Sequence, residues 1–173
     1  MNQQQNIFLI GFMGTGKSTV AEGLKKRLGM KQVEMDKTIE KEQQMAISEI
    51  FERFGEEHFR DIETQLLKRF ATGGPYIVSC GGGAVLRPEN VAIMKKSGKV
   101  VLLLARPETV YERVKDSRER PILNADMSVE YISRLMEKRR AVYEAAADVT
   151  VHTDGKSVEE ICEEIIGGIG SWE

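Results

Sequence analysis

The chain is short of cysteine, of net charge and of long apolar runs, and each shortage removes a class of protein. Two cysteines among 173 residues, Cys80 and Cys162, cannot build a disulfide framework. The composition is the one expected of a reduced, cytoplasmic protein. Cys80 closes an apolar run and reads as a small buried hydrophobe rather than a nucleophile. Lysine and arginine number 25 against 27 aspartates and glutamates, a formal net charge of −2. No chain-wide field therefore draws the protein to nucleic acid or to an anionic membrane surface, and neither is expected as a partner. No apolar run approaches the roughly 18 residues of a membrane span. The stretch Met1-Asn2-Gln3-Gln4-Gln5-Asn6 has neither the basic region nor the apolar core of a secretion signal. Internal repeats and low-complexity tracts are absent as well.

What the chain does have is length enough for one ordinary domain, 1–173, with a core that needs no staples. It also has one dense motif. Gly11-Phe12-Met13-Gly14-Thr15-Gly16-Lys17-Ser18 fits G-x-x-x-x-G-K-[ST] at every fixed position, between the apolar run Ile7-Phe8-Leu9-Ile10 and a helix-compatible segment beginning at Thr19. Glycines let such a loop wrap a phosphate with its N–H groups turned inward, and the helix start adds partial positive charge. Lys17 would reach the β- and γ-phosphates of a nucleotide, and the Ser18 hydroxyl would take a place on Mg²⁺.

Along the rest of the chain, strand and helix signals alternate, which predicts a parallel sheet covered on both faces, a three-layer α/β/α fold with five strands. Val20, Leu24 and Leu28 recur at helical spacing before Gly29, placed to end that helix. Lys31-Gln32-Val33-Glu34 is a weak strand, but it delivers Glu34 and Asp36 to a strand end, where open α/β sheets bind ligands. From Lys37 to Phe70 the pattern predicts several helices, with Ile39, Ile47, Ile50, Phe51, Phe54, Phe59, Ile62, Leu66 and Leu67 facing inward. An insertion of this size suits a substrate-binding lobe, about 37–65. Thr72-Gly73-Gly74-Pro75 reads as a turn before the strand Tyr76-Ile77-Val78-Ser79-Cys80. Gly81-Gly82-Gly83 then places glycines, costly to order, either where a ligand lies against bare backbone or in a plain flexible loop. A short helix, Val91 to Lys96, precedes the clearest buried strand, Lys99 to Leu104. Pro107 opens another helix. The run Lys115-Asp116-Ser117-Arg118-Glu119-Arg120-Pro121 is either a solvated loop or a cationic mobile lid, about 112–126. Ser128 starts a helix reaching Tyr143; Asp148 to His152 forms the last strand, with His152 at its exposed end, and an amphipathic helix through Val158, Ile161, Cys162 and Ile165 follows it.

Two further absences bear on the chemistry. There is no Asn-Lys-x-Asp run to read guanine, and no long apolar strand ends in Asp or Glu. A GTPase is therefore disfavoured, and the carboxylates near the metal must come from elsewhere, with Glu34 and Asp36 as the candidates.

Several short runs, in this order and spacing, make the chain resemble the shikimate kinases, small phosphate-loop kinases of the nucleoside-monophosphate-kinase-like group. They are Gly11 to Thr19, Asp36-Lys37-Thr38-Ile39-Glu40, Ile50-Phe51 with Gly55-Glu56, and Phe59-Arg60-Asp61-Ile62-Glu63. Gly81-Gly82-Gly83-Ala84, Arg120-Pro121-Ile122-Leu123 and Lys138-Arg139-Arg140-Ala141-Val142-Tyr143 complete the set. The resemblance spans almost the whole chain. It implies transfer of the γ-phosphate of ATP to the 3-hydroxyl of shikimate, a step of aromatic amino-acid biosynthesis, using Mg²⁺; a monomer is the default expectation for the oligomeric state, which the sequence leaves open.

By the same resemblance ATP is held by Gly14, Thr15, Gly16, Lys17, Ser18, Thr19 and the lid residue Arg120, and the metal by Ser18 and Glu34. Arg60 and Arg139 match the guanidiniums that grip the shikimate carboxylate through directed, charge-assisted hydrogen bonds. Asp36 matches the acid on the ring hydroxyls that orients the attacking oxygen or accepts its proton. Gly82 matches a backbone contact to the acceptor, with Gly81 and Gly83 beside it, and Glu63 either braces Arg60 or touches the substrate. Lys17, Asp36 and Arg120 form the catalytic set. Lys156 lies near the family's adenine contacts. One residue departs from the pattern: the family usually has Asp-x-Asp where this chain has Glu34-Met35-Asp36, an extra methylene that a water-mediated metal contact can absorb. A kinase for another small hydroxy acid and a nucleotide-binding regulatory module remain as rival readings.

Overall fold

Five short apolar segments find their partners in one parallel sheet. The structure, a computed structural model, describes residues 4–115 and 128–170. The strands are β1 (Asn6–Ile10), β2 (Lys31–Glu34), β3 (Tyr76–Ser79), β4 (Gly98–Leu104) and β5 (Val149–His152), in the order β2-β3-β1-β4-β5. In β1 the residues alternate between the sheet's faces, as a strand's period of two requires. Ile7 and Leu9 pack with Val20 and Leu24 of helix α1 (Lys17–Leu28) and Ile161 and Ile165 of the last helix, Val158–Ile169. Phe8 and Ile10 face the opposite layer, with Leu66, Leu67, Met94 and Ile132. Both faces are covered, so β1 is 0–3% exposed throughout. This is the expected α/β/α architecture with five parallel strands.

Between β2 and β3 run α2 (Met35–Gln43), α3 (Ile47–Phe54) and α4 (Glu56–Gly73). The first turns of α4 carry Arg60 and Glu63, while Leu66, Leu67 and Phe70 further along enter the core. Asn6 secures the far end: its Nδ2 donates to the Phe70 carbonyl (3.3 Å) and its Oδ1 accepts from the Tyr76 amide (2.7 Å). A 3₁₀ turn, Ala84–Leu86, and helix α5 (Pro88–Ser97) lead to β4. Helix α6 (Pro107–Val114) follows it, α7 (Val129–Ala146) precedes β5, and α8 is the Val158–Ile169 helix already met.

Most expected boundaries agree with the structure; three expectations differ. Phe54 is 53% exposed. Helix α3 ends at that residue and Gly55 turns away at φ 86, so the last turn overhangs the core and Phe54 stacks only on His58, with ring centroids 4.9 Å apart. The turn expected over Thr72–Pro75 is shorter, because α4 continues through Gly73. Helix α5 starts earlier than Val91, with Pro88 in the first turn, where its missing N–H costs nothing. The expected lid falls mainly on residues 116–127, Arg120 included, which lie outside the described residues.

Candidate active site

The phosphate loop follows directly from β1, whose end lies at the sheet's C-terminal edge. Gly11 has φ 146, and a Cβ there would lie 2.5 Å from the Leu103 carbonyl oxygen; Gly14 and Gly16 have φ 78 and 96. Those backbone angles are open to glycine and strained for other residues. Gly16 caps α1 with no side chain over the helix start, leaving the N-terminal amides of α1 facing the cleft. Lys17 Nζ donates to the carbonyls of Gly11 (2.8 Å) and Phe12 (3.0 Å), so its side chain arches back over the loop. Thr15 is set apart from its neighbours: it is 1% exposed and its hydroxyl donates to the Phe12 carbonyl, at 2.8 Å. Only its backbone remains for a ligand.

A cleft of about 380 Å³ opens in front of this loop, lined by Gly14, Gly16, Lys17, Ser18 and Thr19 on one side and by Asp36, Arg60, Gly81, Gly82, Gly83 and Arg139 on the other. Glu34 sits between the halves. Its Oε2 accepts from the Ser18 hydroxyl (3.0 Å) and its Oε1 from Gln32 Nε2 (3.0 Å). The longer acid thus spans the gap to Ser18 and is braced from its own strand. A hydroxyl and a carboxylate side by side at the phosphate loop are hard oxygen donors of the kind Mg²⁺ takes, and Mg²⁺ completes its shell with water and phosphate. No group of three or more His, Cys, Asp or Glu side chains suited to a metal occurs among the described residues, so these donors fit a nucleotide-bound Mg²⁺ rather than an all-protein cage.

The side of the cleft opposite the loop is built around a buried ion pair. Arg60 Nη1 and Glu63 Oε1 are 2.6 Å apart, with the residues 6% and 0% exposed, and Arg60 Nη2 also reaches Glu56 at 3.2 Å. Burial raises the Glu63 carboxyl to about 6 despite the opposing pull of Arg60, and the Asp36 charge adds to the rise. Burial also acts to lower the Arg60 pKa, but Glu63 and Glu56 outweigh it and the net shift is upward. Arg60 Nε, Glu63 Oε2 and Arg139 Nη1 are buried without a hydrogen-bond partner among the described residues. Unpaired atoms of this kind are costly, and here all three belong to residues lining the cleft. Glu63 braces Arg60, one of its two expected roles.

Gly81 and Gly83 of the triplet owe their place to this crowd, whereas a Cβ on Gly82 would meet only ordinary contacts. A Cβ on Gly81 would stand 2.7 Å from Glu63 Oε2 and 3.0 Å from Asp36 Oδ1, one on Gly83 would strike the Arg60 guanidinium, and one on Gly82 would lie 3.5 Å from Arg139 Nη1. The bare backbone admits the side chains that surround the cleft. The loop is also fastened from behind: Thr64 on α4 donates to Asn90 Oδ1 (2.7 Å), and Asn90 Nδ2 donates to the Ala84 carbonyl (2.8 Å).

Two residues near the cleft were given no role by the sequence reading, Arg113 and Tyr143, the latter named only as the end of the run from Lys138. Arg113 on α6 lines the cleft and donates to the Gly14 carbonyl at 2.8 Å; its one sequence signal is its place just before the charged run at Lys115. Tyr143 on α7 donates to the Gly82 carbonyl. Cys80 is 2% exposed, with burial holding its thiol well above the usual range, so it is inert as expected. Lys156 pairs with Glu164 at 2.6 Å and does not line the cleft.

A family model described as shikimate kinase matches residues 13–169. A curated shikimate kinase of Dehalococcoides mccartyi is 41% identical over 173 residues, covering 100% of this chain and 98% of the relative. One of Thermodesulfovibrio yellowstonii is 43% identical over 162 residues, 94% of this chain and 93% of its own. Among solved structures, the shikimate kinase from Acinetobacter baumannii in complex with shikimate superposes with a TM-score of 0.89 at 30% identity, covering 95% of this chain and 92% of that one. A gluconokinase from Sinorhizobium meliloti, at 17% identity and a TM-score of 0.59, covers 96% of this chain and 93% of its own and shares the fold alone.

Proposed function

Since the chain belongs to the shikimate kinase family, we propose that this cleft transfers the γ-phosphate of ATP to the 3-hydroxyl of shikimate, yielding ADP and shikimate 3-phosphate. The observation that carries the reading is the meeting, across one cleft, of a phosphate loop with two arginines and an aspartate. Arg60 and Arg139 grip the acceptor carboxylate. Gly82, flanked by Gly81 and Gly83, supplies backbone contact. Asp36 orients the 3-hydroxyl and takes its proton as the new P–O bond forms and the bond to ADP breaks. Gly14, Thr15, Gly16, Lys17, Ser18 and Thr19 hold the nucleotide phosphates, and Lys17 and Arg120 offset the charge on the transferring phosphoryl oxygens.

Ser18 and Glu34 would hold Mg²⁺, which when bound neutralises phosphate charge and orients the γ-phosphate. We take residues 37–65 or so as the acceptor-binding lobe and about 112–126 as a lid that brings Arg120 over the site. Closure would exclude water that otherwise screens these cations and competes as acceptor. The working unit is read as a single chain in the cytoplasm, in keeping with two buried, free cysteines.

The test is ATP consumption with shikimate set against gluconate, other polyols and AMP. A clear preference for shikimate is expected. Equal use of another hydroxy acid would reassign the acceptor, and the absence of any acceptor-dependent turnover would make the chain a nucleotide-binding module.

A further inference from the structure

The hydroxyl of Tyr143 has no part in the chemistry set out above, yet it stands between two groups that do. Tyr143 is 3% exposed and lies one turn beyond Arg139 on α7. Its O–H donates to the Gly82 carbonyl, joining α7 to the glycine loop. Its oxygen also lies within reach of the Arg139 guanidinium's charge. A phenol has one proton to give, and here it goes to Gly82 while the same oxygen stands beside the Arg139 charge. Burial raises the phenol's pKa, with Arg139 pulling the other way, and the proton needed for the Gly82 bond is retained at neutral pH.

Two more features give this arrangement a direction. Arg139 Nη1 is buried without a partner among the described residues, although it stands only 3.5 Å from where a Cβ on Gly82 would be. The guanidinium charge thus lies by the Tyr143 oxygen while Nη1 is left for something else. The Gly82–Gly83 peptide is trans, so fixing the Gly82 carbonyl toward α7 turns the Gly83 N–H the opposite way.

We propose that Tyr143 is a positioning residue for the acceptor, its hydroxyl setting both the orientation of the glycine loop and the presentation of Arg139 to an anionic oxygen of the substrate. The inference rests on the reading that Arg139 and Gly82 contact shikimate. It extends that reading to a residue that touches no substrate and acts through two that do.

Y143F removes the hydroxyl and keeps the ring in the core. Shikimate affinity by isothermal titration calorimetry, KM for shikimate and KM for ATP would be measured for wild type, Y143F, R139A and the double variant. Y143F is expected to weaken shikimate binding roughly tenfold, through a Gly82 carbonyl left without its donor and an Arg139 guanidinium without its polar neighbour, while KM for ATP stays near its wild-type value. The loss is expected to shrink in the R139A background, because part of it is transmitted through that guanidinium. Unchanged shikimate affinity in Y143F, or equal losses for shikimate and ATP, would overturn the inference, as would full additivity of the two substitutions. R139A tells the two readings apart: if it weakens shikimate binding and Y143F does not, only the role of Tyr143 fails. If R139A leaves shikimate binding untouched, the assignment of the acceptor side fails with it.

Discussion

The two halves of the cleft are made in different ways. The donor half is largely backbone from one continuous stretch, Gly11 to Thr19, whose shape is imposed by positive-φ glycines and the start of α1. The acceptor half is largely side chains from separate elements: Asp36 on α2, Arg60 and Glu63 on α4, and Arg139 and Tyr143 on α7, meeting around the glycine triplet. A backbone cradle keeps its form through most side-chain changes and suits the phosphate groups common to nucleotides. A side-chain cage is redefined by each substitution, which suits a site that must recognise one acceptor.

This contrast is sharpest for the cations that act on the transferring group. Lys17→Ala and Arg120→Ala are each expected to lower kcat by roughly 10³-fold or more, with the circular dichroism spectrum unchanged. A change confined to KM for shikimate would dissolve the division into halves.

Next comes Arg60→Ala, expected to raise KM for shikimate about 100-fold with little effect on KM for ATP. Equal effects on both would show that the acceptor cage also shapes the donor side. The same variant leaves Glu63 buried and unpaired, so a loss of stability of about 3 kcal/mol is expected in urea melts.

A third test concerns pH. Glu63 titrates at about 6 in the folded protein against 4.5 ordinarily, so the native state holds this proton more tightly than the unfolded chain does. The stability it contributes is full below pH 4.5 and is lost as pH rises through about 6, an amount on the order of 2 kcal/mol. Glu63→Gln should remove that slope, and parallel profiles for wild type and variant in urea melts from pH 4 to 8 would contradict it.

Gly83→Ala is expected to act more mildly, raising KM for shikimate roughly tenfold by pushing Arg60 aside, with KM for ATP unchanged. Glu34→Asp should have the least effect, a slight shift in the magnesium concentration needed for half-maximal rate. A large change there would mean that the reach of Glu34 to Ser18, braced by Gln32, is required.

Legibility in the sequence followed the same division. The phosphate loop could be read from local spacing because its chemistry is local, and the strands could be read because β1 and β4 are buried runs. Arg60 and Arg139 carry no local signal, and without the family resemblance each is an ordinary polar residue on a helix; Asp36 could be placed at a strand end but not given its role. The triplet could be noticed but not explained, since the cause at Gly81 and Gly83 is the crowding of Glu63, Asp36 and Arg60 from other elements. Phe54 misled because its helical spacing continues that of Ile47, Ile50 and Phe51, and periodicity cannot tell where a helix runs past the core's edge. Arg113 and Tyr143 were given no role because what marks them is a partner distant in sequence, Gly14 for one and Gly82 for the other.

The position of β1 in the sheet has a consequence for the order of events during synthesis. The phosphate-loop motif is complete once Ser18 has been made, but β1 lies between β3 and β4. Its neighbours therefore emerge from the ribosome only after α2, α3 and α4 have been translated. Until Gly98–Leu104 is available, the first strand has an unpaired edge, and non-local pairing of this kind is slow and exposed to aggregation. Nascent chains arrested before β4 should be readily cleaved by protease around Gly11 to Ser18 and should not bind nucleotide, whereas chains extended through β4 should begin to protect that loop.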